Sequence, residues 1–202
     1  TVLVALTMLA NSGCGKSSRD ESVRFAKLGL DIPATYFEAQ SSPISPSPED
    51  DYAVITAIFP DMRPAKSSEW RDPNNVFIVL RRVGRMTRTE ALISNYEKLK
   101  DSTTPARPIL VASSATERRF NVKFGRAPDE ISTYVVRNLP DGSLLSIEDP
   151  GTWSSKSVCN RRVGDVEVNY HFEKTGGPDA ESLDAAVVSL MKRLVFTSAS
   201  KL

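Results

Sequence analysis

The sequence predicts an α+β domain, a mostly antiparallel sheet with helices packed on one face. Three observations carry that prediction. Apolar and polar residues alternate through the second half of the chain, hairpin turns interrupt them at Pro140-Asp141-Gly142 and Gly164-Asp165, and capped stretches with apolar residues at helical spacing lie outside those runs. Strand runs closed by helices are the pattern of a sheet covered by helices rather than of alternating strand-helix units.

In chain order, Val23 to Leu30 alternates loosely and reads as one short strand, ended by Ile32-Pro33 and a turn into Tyr36-Phe37. Gln40 to Asp51 carries Pro43, Pro46 and Pro48 among serines and acids, the composition of a surface loop stiffened by its prolines. Tyr52 to Phe59 is an almost unbroken apolar run and predicts a strand covered on both faces, which Pro60 ends. Asp61 to Asn75 reads as a long polar loop carrying Trp70, and Val76 to Leu80 as a second buried strand. Thr87-Arg88-Thr89-Glu90 is a capping box, with Leu92, Tyr96 and Leu99 behind it at helical spacing, so a helix is predicted over 88–100.

Pro105 and Pro108 mark the helix exit, and Ile109 to Ala112 reads as a strand. Phe120, Val122 and Phe124 alternate with Asn121 and Lys123, giving one buried and one wet face. Ile131 to Leu139 pairs with Ser143 to Ile147 across the first turn, and Val158 to Val163 with Val166 to Glu173 across the second. The chain closes with a helix opened by Pro178-Asp179, whose Leu183, Val187, Leu190 and Leu194 form one stripe. Arg81-Arg82-Val83-Gly84 recurs as Arg161-Arg162-Val163-Gly164, at most a hint of two similar subdomains, since the first copy leads into a helix and the second into a strand.

Forty per cent hydrophobic and 25% charged residues are ordinary for a globular domain. A net charge of +1 gives no field that would draw nucleic acid. Two cysteines make no disulfide framework. With a leader removed, about 185 residues remain, enough for one domain that buries about 70% of its unfolded surface.

The stretch Ala10 to Ser17, Ala-Asn-Ser-Gly-Cys-Gly-Lys-Ser, supports two incompatible chemistries. In the first, Val2 to Ala10 is the apolar core of an export signal, too short to span a bilayer. Ser12-Gly13-Cys14 then resembles the end of the bacterial lipobox, with Asn11 where that family prefers an apolar residue. The resemblance implies that residues 1–13 are removed, that Cys14 carries lipid as the mature N-terminus, and that residues 14–22, polar and without apolar period, form a flexible tether. Acyl chains on Cys14 would anchor the protein to a membrane. In that family a residue other than Asp after the cysteine, here Gly15, favours the outer membrane, with the domain facing the periplasm. Residues 23–202 are then a single domain, expected to bind a protein partner of the envelope without catalysis, as scaffold, assembly and immunity-type lipoproteins do.

In the second chemistry, Ser12-Gly13-Cys14-Gly15-Lys16-Ser17 resembles the Walker A loop of ABC-type ATPases. That resemblance implies backbone groups around Gly13 and Gly15 cradling phosphate, Lys16 on the outer phosphates and Ser17 on magnesium, in a small phosphotransferase or ATPase. It also requires a parallel sheet and an acidic residue at the end of a second strand, and the apolar runs do not supply one. The lipoprotein reading is therefore preferred.

Within the domain, the natural nucleophile pair is Cys159 with His171. A two-residue turn at Gly164-Asp165 sets Cys159 opposite Tyr170 and His171 opposite Val158, on different faces, so no dyad forms. The expectation is a buried cysteine and a surface histidine, with Arg162 ion-paired to Glu167; this register points Arg161 inward, which leaves a shift by one residue open. One histidine leaves no zinc pattern, and Glu49-Asp50-Asp51 and Glu148-Asp149 read as loop acids without a calcium-loop pattern, so no metal or cofactor is expected. Arg81, Arg82, Arg85 and Arg88, and Arg118, Arg119, Lys123 and Arg126, read as solvated basic faces. Trp70 and Trp153 lie in loops, where tryptophans can be partner anchors, but local packing is the expected fate.

Overall fold

Residues 22–39, 47, 49–104, 107–123 and 130–195 are described by the computed structural model. The first run, read from sequence as one strand, is a hairpin: β1 (Ser22–Phe25) pairs with β2 (Leu30–Pro33). Gly29 makes the reversal by adopting φ +66°, which a side chain would resist, and its N–H bonds the Ala26 carbonyl. After a short 3₁₀ turn at Ala34–Phe37 come β3 (Tyr52–Ile58), the two-residue β4 (Arg63–Pro64), and β5 (Asn75–Arg82). The polar loop before β5 thus contains β4 and a 3₁₀ turn at Ser67–Glu69, pinned by a bidentate Arg63–Glu69 pair at 2.6 and 2.9 Å.

Helix α1 (Arg88–Leu99) starts where its capping box dictates: the Thr87 side chain accepts the Glu90 N–H and Glu90 accepts the Thr87 N–H at 2.7 Å. Strands β6 (Ile109–Ser113), β7 (Glu117–Lys123), β8 (Ile131–Asn138), β9 (Leu144–Asp149), β10 (Lys156–Val163) and β11 (Val166–Glu173) follow as a meander of hairpins. Helix α2 (Ala180–Leu194) closes the described chain, capped by Asp179 accepting the Ser182 N–H at 2.9 Å.

All strands but β1 and β2 form one nine-stranded sheet in the order β4-β3-β5-β11-β10-β9-β8-β7-β6. Each described pairing is antiparallel. Strand β11 joins the early strands to the meander, pairing with β5 on one side and β10 on the other. The strands that carry the two Arg-Arg-Val-Gly copies therefore flank β11 and run in the same direction.

The expected fold class is corrected here. Among the described residues there are two α-helices, and they form no packed layer on one face; they lie on opposite faces of the sheet. Asn160 and Arg161 are neighbours on β10 and so point to opposite sides. Asn160 accepts from Thr89 of α1 at 2.8 Å, whereas Arg161 bonds Asp184 of α2. Helical periodicity fixes which stripe of each helix is buried. It does not fix which face of the sheet receives that stripe, because that depends on how the loops after β5 and β11 cross the sheet edge.

The main core lies on the α2 side. There Leu183, Val187, Leu190 and Leu194 meet Ile55, Ile78, Leu80, Val168 and Tyr170, and the β1-β2 hairpin adds Phe25, Leu30 and Ile32 to the same cluster. A bridge between Leu30 and Val195 ties that hairpin to the end of α2. The opposite face is more polar. It is covered by α1 over β7 to β11, with Tyr96 edge-on to Phe120 at 5.3 Å.

Candidate functional site

Gly13, Cys14, Gly15, Lys16 and Ser17, the residues for which the sequence offers a lipidation or a phosphate chemistry, lie outside the described residues. Among the described residues, no helix is long and apolar enough to cross a membrane. No group of three or more His, Cys, Asp or Glu side chains among them is placed to hold a metal ion.

The register read from the Gly164-Asp165 turn is the observed one: Cys159 lies opposite Tyr170 and His171 opposite Val158. The thiol and the imidazole therefore sit on different faces. Cys159 is fully buried, and burial pushes its thiol up to about 12, so it is held as a neutral thiol. His171 departs from the expected surface histidine. It is half-buried, edge-on to Phe77 at 5.7 Å, and burial lowers its pKa, with Lys156 and Arg88 pushing the same way.

Arg161 points inward as expected, and is held between Asp184 of α2 and Asp141 of the β8-β9 turn. The expected Arg162–Glu167 ion pair is absent although the two residues are in register. Arg162 turns to the Gly164 carbonyl at 2.8 Å instead. Glu167, buried, accepts the Arg88 backbone N–H at 2.6 Å and an Asn160 amide N–H at 2.8 Å. The reason is electrostatic: the first N–H groups of α1 have no partner within the helix, and a carboxylate at that positive end satisfies one of them.

Glu167 begins a buried polar chain that a reading of β11 as half wet does not anticipate. Asn160 uses its second amide hydrogen on Asn169 Oδ1 at 2.8 Å, and its own carbonyl oxygen accepts from Thr89 Oγ1. Thr89 Oγ1 also lies 2.8 Å from Ser146 Oγ. A hydroxyl has one proton, so Ser146 is the donor of that last bond.

Beside this chain, between α1 and the strands β7 to β11, runs a cleft of about 330 Å³. Its walls change character along α1. At the helix N-terminal end stand Arg88, Asn160, Asn169, Glu148 and Tyr134; toward the C-terminal end stand Leu92, Leu99, Pro108 and Val122. Glu148 is a strand residue of β9, not the loop acid read from sequence, and accepts Ser132 Oγ at 3.1 Å. Burial, and then the Glu148 carboxylate beside it, push the Tyr134 phenol well up, so it stays protonated and donates to Glu148. Asp149, also in β9, pairs with Lys174 at 2.6 Å. The alternation of Ser146 and Glu148 with Leu145 and Ile147 is the signal that places this acid on a sheet face.

The loop tryptophans are a further correction. Trp70 is 44% and Trp153 57% exposed, neither packed away. One precedes β5 and the other β10, strands of the same direction on either side of β11, so both lie at one end of the sheet. Among the basic clusters, Arg81, Arg82, Arg85 and Arg88 are exposed, Arg119 is paired with Glu117 at 2.8 Å, and Arg126 lies outside the described residues.

No family model matches the chain, and no curated protein does. A solved structure does. The fold is similar to that of the Neisseria meningitidis iron-regulated outer membrane lipoprotein FrpD, with a TM-score of 0.50. The match covers 89% of this chain and 95% of that one at 13% identity, and at that identity the likeness is one of fold.

Proposed function

We propose that the chain is a cell-envelope lipoprotein, lipidated at Cys14 after removal of residues 1–13 and tethered through residues 14–22. The domain that follows is a binding domain facing the periplasm from the outer membrane, and it engages a protein partner without catalysing a reaction. The observation that carries this reading is the fold likeness to an outer membrane lipoprotein, met in a chain whose Ser12-Gly13-Cys14 resembles the lipobox. The placement of Cys159 and His171 on different faces supports a non-catalytic role. Two exposed indoles at one end of the sheet are the kind of anchor that carries binding energy at protein interfaces.

The test uses cells expressing the complete gene. Palmitate label and membrane fractionation are expected for the wild type, and both are expected to be lost in Cys14→Ser. A photo-crosslinker placed at Trp153 is expected to capture an envelope protein. Wild-type protein that is unlabelled and free of membrane overturns the reading. Nucleotide retention abolished by Lys16→Ala would then assign Gly13, Gly15, Lys16 and Ser17 to phosphate.

A further inference from the structure

The cleft beneath α1 is lined by two opposite charges. Arg88 and Glu148 both line it, and neither forms a salt bridge with a described residue. Glu148 takes bonds from Ser132 and Tyr134, which leaves about two of its four lone-pair positions open. Asn169 adds a donor. It is 3% exposed, its carbonyl oxygen is used by Asn160, and its amide nitrogen donates to no described residue while the side chain lines the cleft. That nitrogen keeps some exposure, so it is free to donate to a ligand or to water.

The remaining walls define the rest of the ligand. Leu92, Leu99 and Val122 offer an apolar surface at the far end, so the complementary molecule has charge at one end and hydrocarbon at the other. A volume of about 330 Å³ is at the small end of the range for ligand sites and has room for a molecule of a few carbon atoms. We propose that the cleft binds a small zwitterion of the amino-acid type. Its carboxylate meets Arg88 and the Asn169 amide, its ammonium meets Glu148, and its apolar side chain lies against Leu92, Leu99 and Val122. This rests on reading the domain as a binding module, and gives it a small-molecule site separate from the tryptophan end of the sheet.

Calorimetric titration of the full chain carrying Cys14→Ser tests it, with leucine, leucinamide and 4-methylpentanoate as probes. Leucinamide lacks the carboxylate and 4-methylpentanoate the ammonium. Leucine is expected to bind saturably, and each half-ligand about tenfold or more weakly. Arg88→Gln is expected to weaken leucine and leave leucinamide unchanged; Glu148→Gln is expected to weaken leucine and leave 4-methylpentanoate unchanged. Methyl resonances of Leu92 and Val122 should shift on addition of leucine. The proposal is overturned by no saturable heat with leucine up to about 10 mM, by equal affinity for all three probes, or by shifts confined to other methyl groups. A negative titration leaves palmitate labelling and cross-linking at Trp153 untouched, so it is distinguishable from failure of the lipoprotein reading.

Discussion

Tyr170 donates its phenolic proton to Asp184 Oδ1 over 2.7 Å, and Arg161 holds the other oxygen of the same carboxylate. The three side chains come from β10, β11 and α2, and they tie that helix to the sheet through a largely buried ion pair. Removing one member of a buried ion pair is far worse than removing both, because the survivor keeps its desolvation cost. Arg161→Met is therefore expected to lower stability by about 3–5 kcal/mol. The double variant Arg161→Met, Asp184→Leu is expected to lose markedly less, and Tyr170→Phe about 1–3 kcal/mol. Urea denaturation of the four proteins checks the order; a double variant no better than Arg161→Met would sink the argument.

On the other face, the buried residue of α1 is Thr89, which hydrogen-bonds into the sheet. Thr89→Val keeps the shape of the side chain and removes the hydroxyl that joins Ser146 to Asn160. Asn160 loses a donor and Ser146 an acceptor, both in buried positions. A loss of about 1–3 kcal/mol is expected. Amide exchange should report it first in the opening turn of α1, and unchanged protection there would show that the network does not hold the helix.

These two faces also explain what could be read in advance. Hairpin registers were legible because Gly164-Asp165 admits one two-residue turn, and every pairing from Lys156 to Glu173 follows from it. The caps at Thr87 and Asp179 are local chemistry, complete within four residues. What was not legible is non-local. The register sets Glu167 opposite Arg162, yet the positive end of a helix 79 positions away in sequence takes the carboxylate. The cleft is a product of α1 lying over polar strand positions, and polar residues alternating along β9 and β11 look the same from sequence whether water or a helix covers them. Trp70 and Trp153 depart from expectation for the opposite reason: large apolar rings are normally covered, and here 44% and 57% of these residues stay exposed.

Cys159 is a nucleophile whose chemistry its surroundings suppress. It is fully buried, faces Tyr170, and its thiol is pushed up to about 12. In protein carrying Cys14→Ser, so that one thiol remains, Ellman's reagent is expected to give no reaction at neutral pH until denaturant is added. Stoichiometric release of colour from the native protein would mean that the β10-β11 face opens without global unfolding.

His171 gives the domain a pH dependence of definite sign. Its ordinary value is 6.5, and burial, with Lys156 and Arg88 adding to it, lowers the folded-state value. Above the ordinary value the ring is neutral in both states and contributes no slope. As pH falls below it the unfolded chain takes up the proton first, so the folded state loses stability until its own lower pKa is passed, where the loss levels off. Wild-type protein is therefore expected to lose stability relative to His171→Gln between about pH 7 and pH 5, the glutamine variant lacking the titrating group. The comparison cancels the carboxylates common to both proteins, such as Asp149 with its Lys174 partner. Thermal denaturation across that range measures it. A wild type that gains on the variant as the solution is acidified would mean that the imidazolium has an anionic partner in the folded protein, and that the ring at Phe77 is not the desolvated group described above.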